Sequence, residues 1–495
     1  MFNFKDKNMK RYILPILIGI LCIGFTGCEK DALDKNPLDK LSSGQFWQSK
    51  QDFDMALTAI YGELQNAMFA IGAPNWDALT DNGYGQHNYY GSQAIAQGDI
   101  SPSTGGYISD IYSSSYKGIA RINIFLGQLN NFEGDGIDAA TRSTYEGEAL
   151  FMRGFYYFQL YSNYGSVPIV TEALGLDNQI QPKAPEAEVL ARSLADLDTA
   201  IANLPDALYA DGGGHAVKTS AQALKLRVLM FAAYGDTGTA DTGLMTQARD
   251  LALEIMGAGY DLSPNFEDVF QDATQEGNPE IIFSIKFLAP DNATEMDMWY
   301  GDWVVISPLQ NLVDAFEPSD PRLEKTIYTN EVNFDGNIHN PSNGTPTGYG
   351  LKKFLTPDLM PYGYSTQSQQ DWVLLRYADV LLMYAEAQNE LVGVDQSVYD
   401  ALNEIRGRVG MPDIPTGLTK DPMREVIRHE RRIELAFEGL RYYDLKRWRI
   451  AEEVLNNISD GLLTYTFEER FYHWPLPLAE IDKSHGVLEQ NPDYN

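Results

Sequence analysis

The chain has 495 residues, of which 37 are basic and 69 acidic, for a formal charge of -32. That surplus of carboxylates disfavours a phosphate-rich partner and so excludes nucleic-acid binding as the main role. The two cysteines, Cys22 and Cys28, both lie near the N-terminus, leaving neither a disulfide framework nor a cysteine metal site further along.

Lys5, Lys7, Lys10 and Arg11 precede an apolar run, Tyr12 to Phe25, that is too short to span a bilayer as a mature helix. The pattern predicts a signal peptide over residues 1–27, with Met1 or Met9 as the start. Phe25-Thr26-Gly27-Cys28 resembles a bacterial lipoprotein box, although its first position is usually Leu. Cleavage before the cysteine would expose Cys28 for acylation, and each buried methylene contributes about 0.8 kcal/mol to anchoring. Glu29-Lys30-Asp31 resembles the export signals of surface-exposed lipoproteins.

After Pro37, the segment Leu41 to Trp47 leads into a helix with Phe53, Ala56, Leu57, Ile60, Tyr61 and Leu64 on one face, capped by Ser49 or Asp52. From Ala73 to Tyr116 periodicity fails, and Gly, Ser, Asn and Tyr take over. Polar loops of this length are functional or disordered, and the aromatic content argues against disorder. Helices are predicted over Tyr116 to Leu129 and Tyr145 to Leu160, the second ended by Tyr164-Gly165-Ser166-Val167-Pro168. Another pair runs from Ala187 to Leu204 and from Ser220 to Tyr234, stopped by Pro205 and Gly235. Gly212 to Ser220 has the look of a phosphate loop, but no glycine precedes Lys218 at the required position and no strand feeds it. A helix over Gln247 to Met256 and a strand over Glu280 to Phe287 follow. Asp291 to Trp303 is a second irregular aromatic stretch, and Thr329 to Gln370 a third. Helix pairs repeating every 35 to 45 residues or so suggest a tetratricopeptide-like scaffold, in which each pair buries its face against its neighbours.

Arg376 to Trp448 is the most strongly patterned region. Val380, Leu381, Tyr384 and Ala387 mark a buried helix stopped by Gly393, and Val398 to Val409 a second, stopped by Gly410-Met411-Pro412. Asp421-Pro422 predicts the N-cap and first turn of a third helix, closed by Phe437-Glu438-Gly439, with a fourth starting at Arg441. The dense charges here, Arg424 to Arg447, alternate at spacings that suit internal ion pairs, so this region is expected to be scaffold rather than binding surface.

Signals for catalysis are absent. His87, His215, His339, His429, His473 and His485 form no pair with metal spacing, and His429-Glu430 lacks the second histidine of a zinc-protease helix. There is no Gly-x-Ser-x-Gly elbow, and no carboxylate pair stands out by context. No cofactor is expected, although a calcium site assembled from distant oxygens stays open.

Several stretches together resemble the SusD/RagB family of outer-membrane nutrient-binding lipoproteins. They are Pro37 to Tyr61, Gly147 to Pro168, Lys218 to Arg227, Leu375 to Ala387, Glu430 to Gly439, Arg441 to Trp448 and Gln490 to Tyr494. The resemblance implies a mainly α, SusD-like fold: a tetratricopeptide-like scaffold with long irregular loops and a few short strands. It implies a single unit over 28–495, with an N-terminal part over about 28–235 and a C-terminal part over about 270–495. It also implies a glycan ligand, a SusC-like TonB-dependent barrel as partner, and outer-membrane attachment through a lipid on the cell surface. A lid for a peptide importer without sugar affinity, or a surface glycoside hydrolase, are the alternative roles.

Sugars present flat C–H faces edged by hydroxyls, so a binder needs exposed aromatic plates flanked by polar side chains. Trp47, Trp372, Trp448 and Trp474 fall in family-patterned segments and are read as packing residues. Trp76, Trp299, Tyr300 and Trp303, with Tyr84, Tyr89 and Tyr90, are the candidate platform, and Asp81, Asn82, His87 and Asn88 the candidate polar contacts.

Overall fold

The computed structural model of the chain describes residues 46–460 and 462–494. The expected signal peptide, the Cys28 lipidation site and the Pro37 lead-in lie outside the described residues. Among those described, no helix is long and apolar enough to cross a membrane.

Helix α1 (Lys50–Leu64) opens at Ser49, whose backbone N–H donates to the Asp52 carboxylate at 2.8 Å, and it buries Phe53, Leu57, Ile60 and Leu64 as its spacing predicts. Helix α2 (Tyr107–Asn131) begins well before the expected Tyr116. Its first turns turn Tyr107, Ile108, Ile111 and Tyr112 inward, a stripe masked in the sequence by Gly105-Gly106 and the serines between. Helix α3 (Ala139–Tyr164) is buried on nearly every side beyond its second turn. Two glycines allow this: a Cβ on Gly118 of α2 would lie 2.2 Å from the Tyr156 ring, and one on Gly154 would lie 2.8 Å from Leu197. Leu197 belongs to α4 (Glu186–Asn203), which packs along α3 and then against α5 (Lys218–Ala232). The order continues through α6 (Thr242–Met256) to α7 (Tyr377–Leu391), which also carries α8 (Gln396–Arg408) and α9 (Lys420–Glu434). From α2 to α6 each helix packs on its sequence neighbour, the arrangement expected of stacked helix pairs, whereas α8 and α9 both pack on α7.

Thr419 is the residue that precedes α9, not Asp421. The Met423 N–H bonds back to the Thr419 carbonyl at 3.0 Å, and Asp421, one turn position further in, pairs with Arg424 at 2.7 Å. The helix ends at Glu434; Phe437 and Gly439, at φ 64° and 74°, then turn the chain into α10 (Arg441–Arg447).

The charged stretch is scaffold, though its pairs reach between elements more than along one helix. Arg376, 2% exposed, donates to Glu280, Glu434 and Glu438, each at 2.7 Å. Arg322 bridges Asp320, Glu430 and Glu434; Arg431 bridges Asp379 and Asp444; Arg447 bridges Glu386 and Asp444. Burial alone would raise the Glu386 carboxyl, yet Arg447 holds it down at about 2. Lys353 spans Glu434, Ala436 and Glu438, and its burial pushes its ammonium down to about 8.

The strands are short and pair two by two, all antiparallel. β1 (Gly83–Gly85) pairs with β3 (Ile306–Pro308), and β2 (Ile281–Ile285), inside the predicted strand, pairs with β8 (Trp372–Arg376). β4 (Ile327–Thr329) pairs with β7 (Tyr349–Leu351), and β5 (Val332–Phe334) with β6 (Asn337–His339).

Candidate functional site

The β1–β3 clip brings two aromatic loops together that are far apart in sequence. The first follows β1: Gln86 is tied by its N–H to the Val305 carbonyl (2.9 Å), and the chain then passes through His87, Asn88 and Tyr90 at φ 62°, 53° and 53°. Left-handed backbone at three non-glycine residues costs about 1 to 3 kcal/mol each and concentrates at functional sites. The loop holds because the Asn88 side-chain oxygen accepts from the Gln93 N–H (2.9 Å), opening the short helix Ser92–Ala96. Gly106, ahead of α2, admits the Tyr90 backbone so closely that a Cβ there would sit 1.9 Å from its carbonyl oxygen.

The second loop is a single π turn, Met298–Asp302, in which the Trp303 N–H reaches the Met298 carbonyl (2.8 Å). Such turns are frequent at functional sites. Ser342 fixes its far end by donating to Asp302 through N–H (2.9 Å) and hydroxyl (2.6 Å). A third loop is fastened by Thr294 and Ser368, which exchange backbone bonds of 2.8 and 3.1 Å and set Tyr364 beside the turn. Beneath it, Asp297 accepts from Gln370 at 3.2 Å and from the Thr356 N–H, and burial pushes its carboxyl up to about 6.

From these loops Tyr89, Trp303 and Tyr364 form a surface cluster. The Tyr89 ring is nearly parallel to Trp303 (14°, centroids 6.4 Å) and stacks on Trp299 at 5.5 Å, while Tyr364, 86% exposed, meets Trp303 at 72° and 5.3 Å. His87 and Asn88 are exposed at the edge, and His87 stands at right angles to Tyr89. Tyr84 is half-buried, its hydroxyl accepting from Gln93 at 3.1 Å. Trp299 lies mostly beneath the cluster, and its indole N–H donates to the exposed Glu295 at 3.1 Å.

Four candidates are removed from the platform by their surroundings. Trp76, 3% exposed, stacks on Trp474 at 5° and 5.7 Å in the core, and Tyr300 is fully buried with its hydroxyl donating to the Ile71 carbonyl at 2.6 Å. Asp81 is taken up by Arg441 and Arg432, and Asn82 accepts from Arg432 at 2.8 Å. Trp76 and Tyr300 are core residues, and Asp81 and Asn82 are held by arginines at the base of the first loop. Trp372, Trp448 and Trp474 are buried, and Trp47 is packed on Phe53 and Phe125. Tyr364 was not singled out in the sequence; its only signal is its place in the third irregular stretch.

Away from the platform, a cavity of about 760 Å³ runs between α2, the 168–181 loop and the 480–488 segment, and its Tyr116 hydroxyl is spent on the Pro168 carbonyl at 2.6 Å.

Two family models match the chain: one described as SusD family over residues 279–494, the other as starch-binding, associating with the outer membrane, over 31–230. SusD-like proteins P38 and P2 of Formosa agariphila are 27% and 24% identical to it, over 99% and 98% of this chain and the whole of each relative. Among solved structures, a SusD-like protein from Bacteroides fragilis superposes with a TM-score of 0.77 at 26% identity, covering 93% of this chain and all of that one. A laminarin-binding SusD-like protein superposes at 0.74 and 25% identity, covering 90% of this chain and all of its own.

Proposed function

Since this chain belongs to the SusD family of carbohydrate-binding, outer-membrane-associated proteins, we propose that it captures oligosaccharides or polysaccharides at the cell surface through Tyr89, Trp303 and Tyr364. The observation that carries the reading is the crossed pair of rings Trp303 and Tyr364, the first half-buried and the second exposed, braced by Tyr89 and edged by His87 and Asn88. Covering roughly 100 Å² of indole face contributes about 2.5 kcal/mol before ordering costs. Two or three such contacts give roughly micromolar to millimolar affinity, which suits a protein that hands its cargo on.

In this reading residues 1–27 are removed on export, Cys28 carries the lipid, and residues 28–495 act as one unit. The captured glycan passes to a SusC-like TonB-dependent barrel, whose machinery supplies the energy of transport. Trp299 supports Tyr89 from below and Tyr84 steadies the loop through Gln93, so both serve the platform indirectly.

The test is calorimetry against a panel of soluble glycans, together with affinity purification from detergent-solubilised envelopes. Binding to at least one glycan and recovery of a barrel partner are expected. Recovery of the barrel with no glycan bound would replace capture by the structural-lid role. Hydrolysis of a glycan by the pure protein would restore the enzyme reading. Cys28→Ala is expected to move the protein from the membrane fraction to the soluble one.

A further inference from the structure

The three segments that build the platform share a compositional feature: residues 51–116, 287–321 and 354–375 contain no lysine and no arginine. Elsewhere the chain places its cations densely, as in the buried network around Arg376 and Arg431. The segments that carry the platform therefore contribute carboxylates as their formal charges, and the arginines that reach the base of the first loop, Arg432 and Arg441, are paired with Asp81. Glu295 is exposed at the rim, one of its oxygens accepting from the Trp299 indole at 3.1 Å. Asp110 is half-buried at the first turn of α2, the helix whose Tyr107 ring meets Tyr90. Burial, then Asp110 and Glu295, push the Tyr90 hydroxyl well above its ordinary range, and burial with Glu295 acts in the same direction on Tyr89. The polar groups at the edge, His87, Asn88 and the Tyr364 hydroxyl, suit hydroxyl partners and offer no guanidinium fork for a carboxylate or sulfate.

Resting on the glycan-binding reading above, we infer that this platform selects uncharged glycans and rejects uronate-rich and sulfated ones, with Glu295 as the rejecting group. The aromatic faces alone would not discriminate, because a uronate presents the same C–H surface as its neutral counterpart. Discrimination comes from the field: an acidic polymer must bring its charges to within a Debye length, about 8 Å at physiological salt, of Glu295 and Asp110 in a chain whose net charge repels it throughout.

The experiment titrates the purified protein with soluble starch, laminarin and galactomannan as neutral probes, and with polygalacturonate, alginate and a sulfated carrageenan as anionic ones. Each is run in 20 mM and 500 mM sodium chloride, with EDTA to remove bridging cations. Binding is expected for a neutral probe alone, with an affinity that changes little with salt. Anionic probes are expected to bind about tenfold more weakly or not at all at low salt. For whichever anionic probe shows residual binding, Glu295→Gln is expected to strengthen it roughly threefold at 20 mM and not at 500 mM. Tight binding of an anionic probe that is abolished by Trp303→Ala would overturn the inference while leaving the platform reading intact. Binding of none of the six would remove both.

Discussion

Trp303 lies half-buried under the platform surface and Trp76 is enclosed in the core, and the contrast yields two distinct expectations. Trp303→Ala removes a plate of the platform, so glycan affinity should fall by tens of fold, about 2.5 kcal/mol, while the melting temperature falls by about a few degrees at most. Trp76→Ala empties a site stacked on Trp474 and should cost about 3 to 5 kcal/mol of stability in chemical denaturation. Close by, Asp77 is fully buried, and burial pushes its carboxyl up to about 7 although the Phe437 backbone and Arg441 act to lower it. A raised acid keeps its proton in the folded state between pH 3.8 and about 7, so folding is progressively weakened as pH rises through that window. Asp77→Asn should therefore be nearly neutral at pH 4 and stabilising at pH 8, by up to about 4 kcal/mol, in paired melts. At this scale the sequence was a partial guide. It separated loop aromatics from patterned ones, but Tyr300 and Trp76 sit in irregular segments that fold back into the core, and no local pattern distinguishes that from exposure.

The elements around the site are held by clips rather than by long sheets, and the first loop depends on its neighbour α2. Gly106→Ala would drive a methyl into the Tyr90 carbonyl. The expected result is a displaced loop, seen as at least tenfold weaker glycan binding by calorimetry, with far-ultraviolet dichroism little changed because only the first turn of α2 adjoins the loop. The scaffold responds in the opposite way. Arg376 joins three buried carboxylates at the junction of β8 and α7, and Arg376→Met would take one cationic partner from each, leaving Glu280 to Arg408, Glu434 to Arg322 and Arg408, and Glu438 to Lys353. A loss of about 3 to 5 kcal/mol in urea unfolding is expected, with ligand affinity of the folded fraction unaltered. Helix positions were legible wherever apolar residues recur at three and four, as in α1 and α7. The start of α2 was hidden by serines and glycines, and the start of α9 by an Asp-Pro pair lying inside its first turn.

Across the whole molecule, the stacked helix pairs follow from periodicity that each segment carries locally, which is why the mainly α scaffold could be read before any coordinates. The site could not be read in the same way. It forms where β1 meets β3 and Thr294 meets Ser368, contacts between distant segments that no window of sequence contains. What the sequence did carry was the unusual length and aromatic content of the loops, together with their lack of basic residues. The most direct test of the account is calorimetric titration of a bound neutral glycan into the wild-type protein, Trp303→Ala and the double variant Trp303→Ala/Tyr364→Ala, each checked for an unchanged melting temperature. The account predicts stepwise loss of affinity, ending in no measurable heat for the double variant. Undiminished binding by a folded double variant would contradict it and move the site elsewhere on the surface.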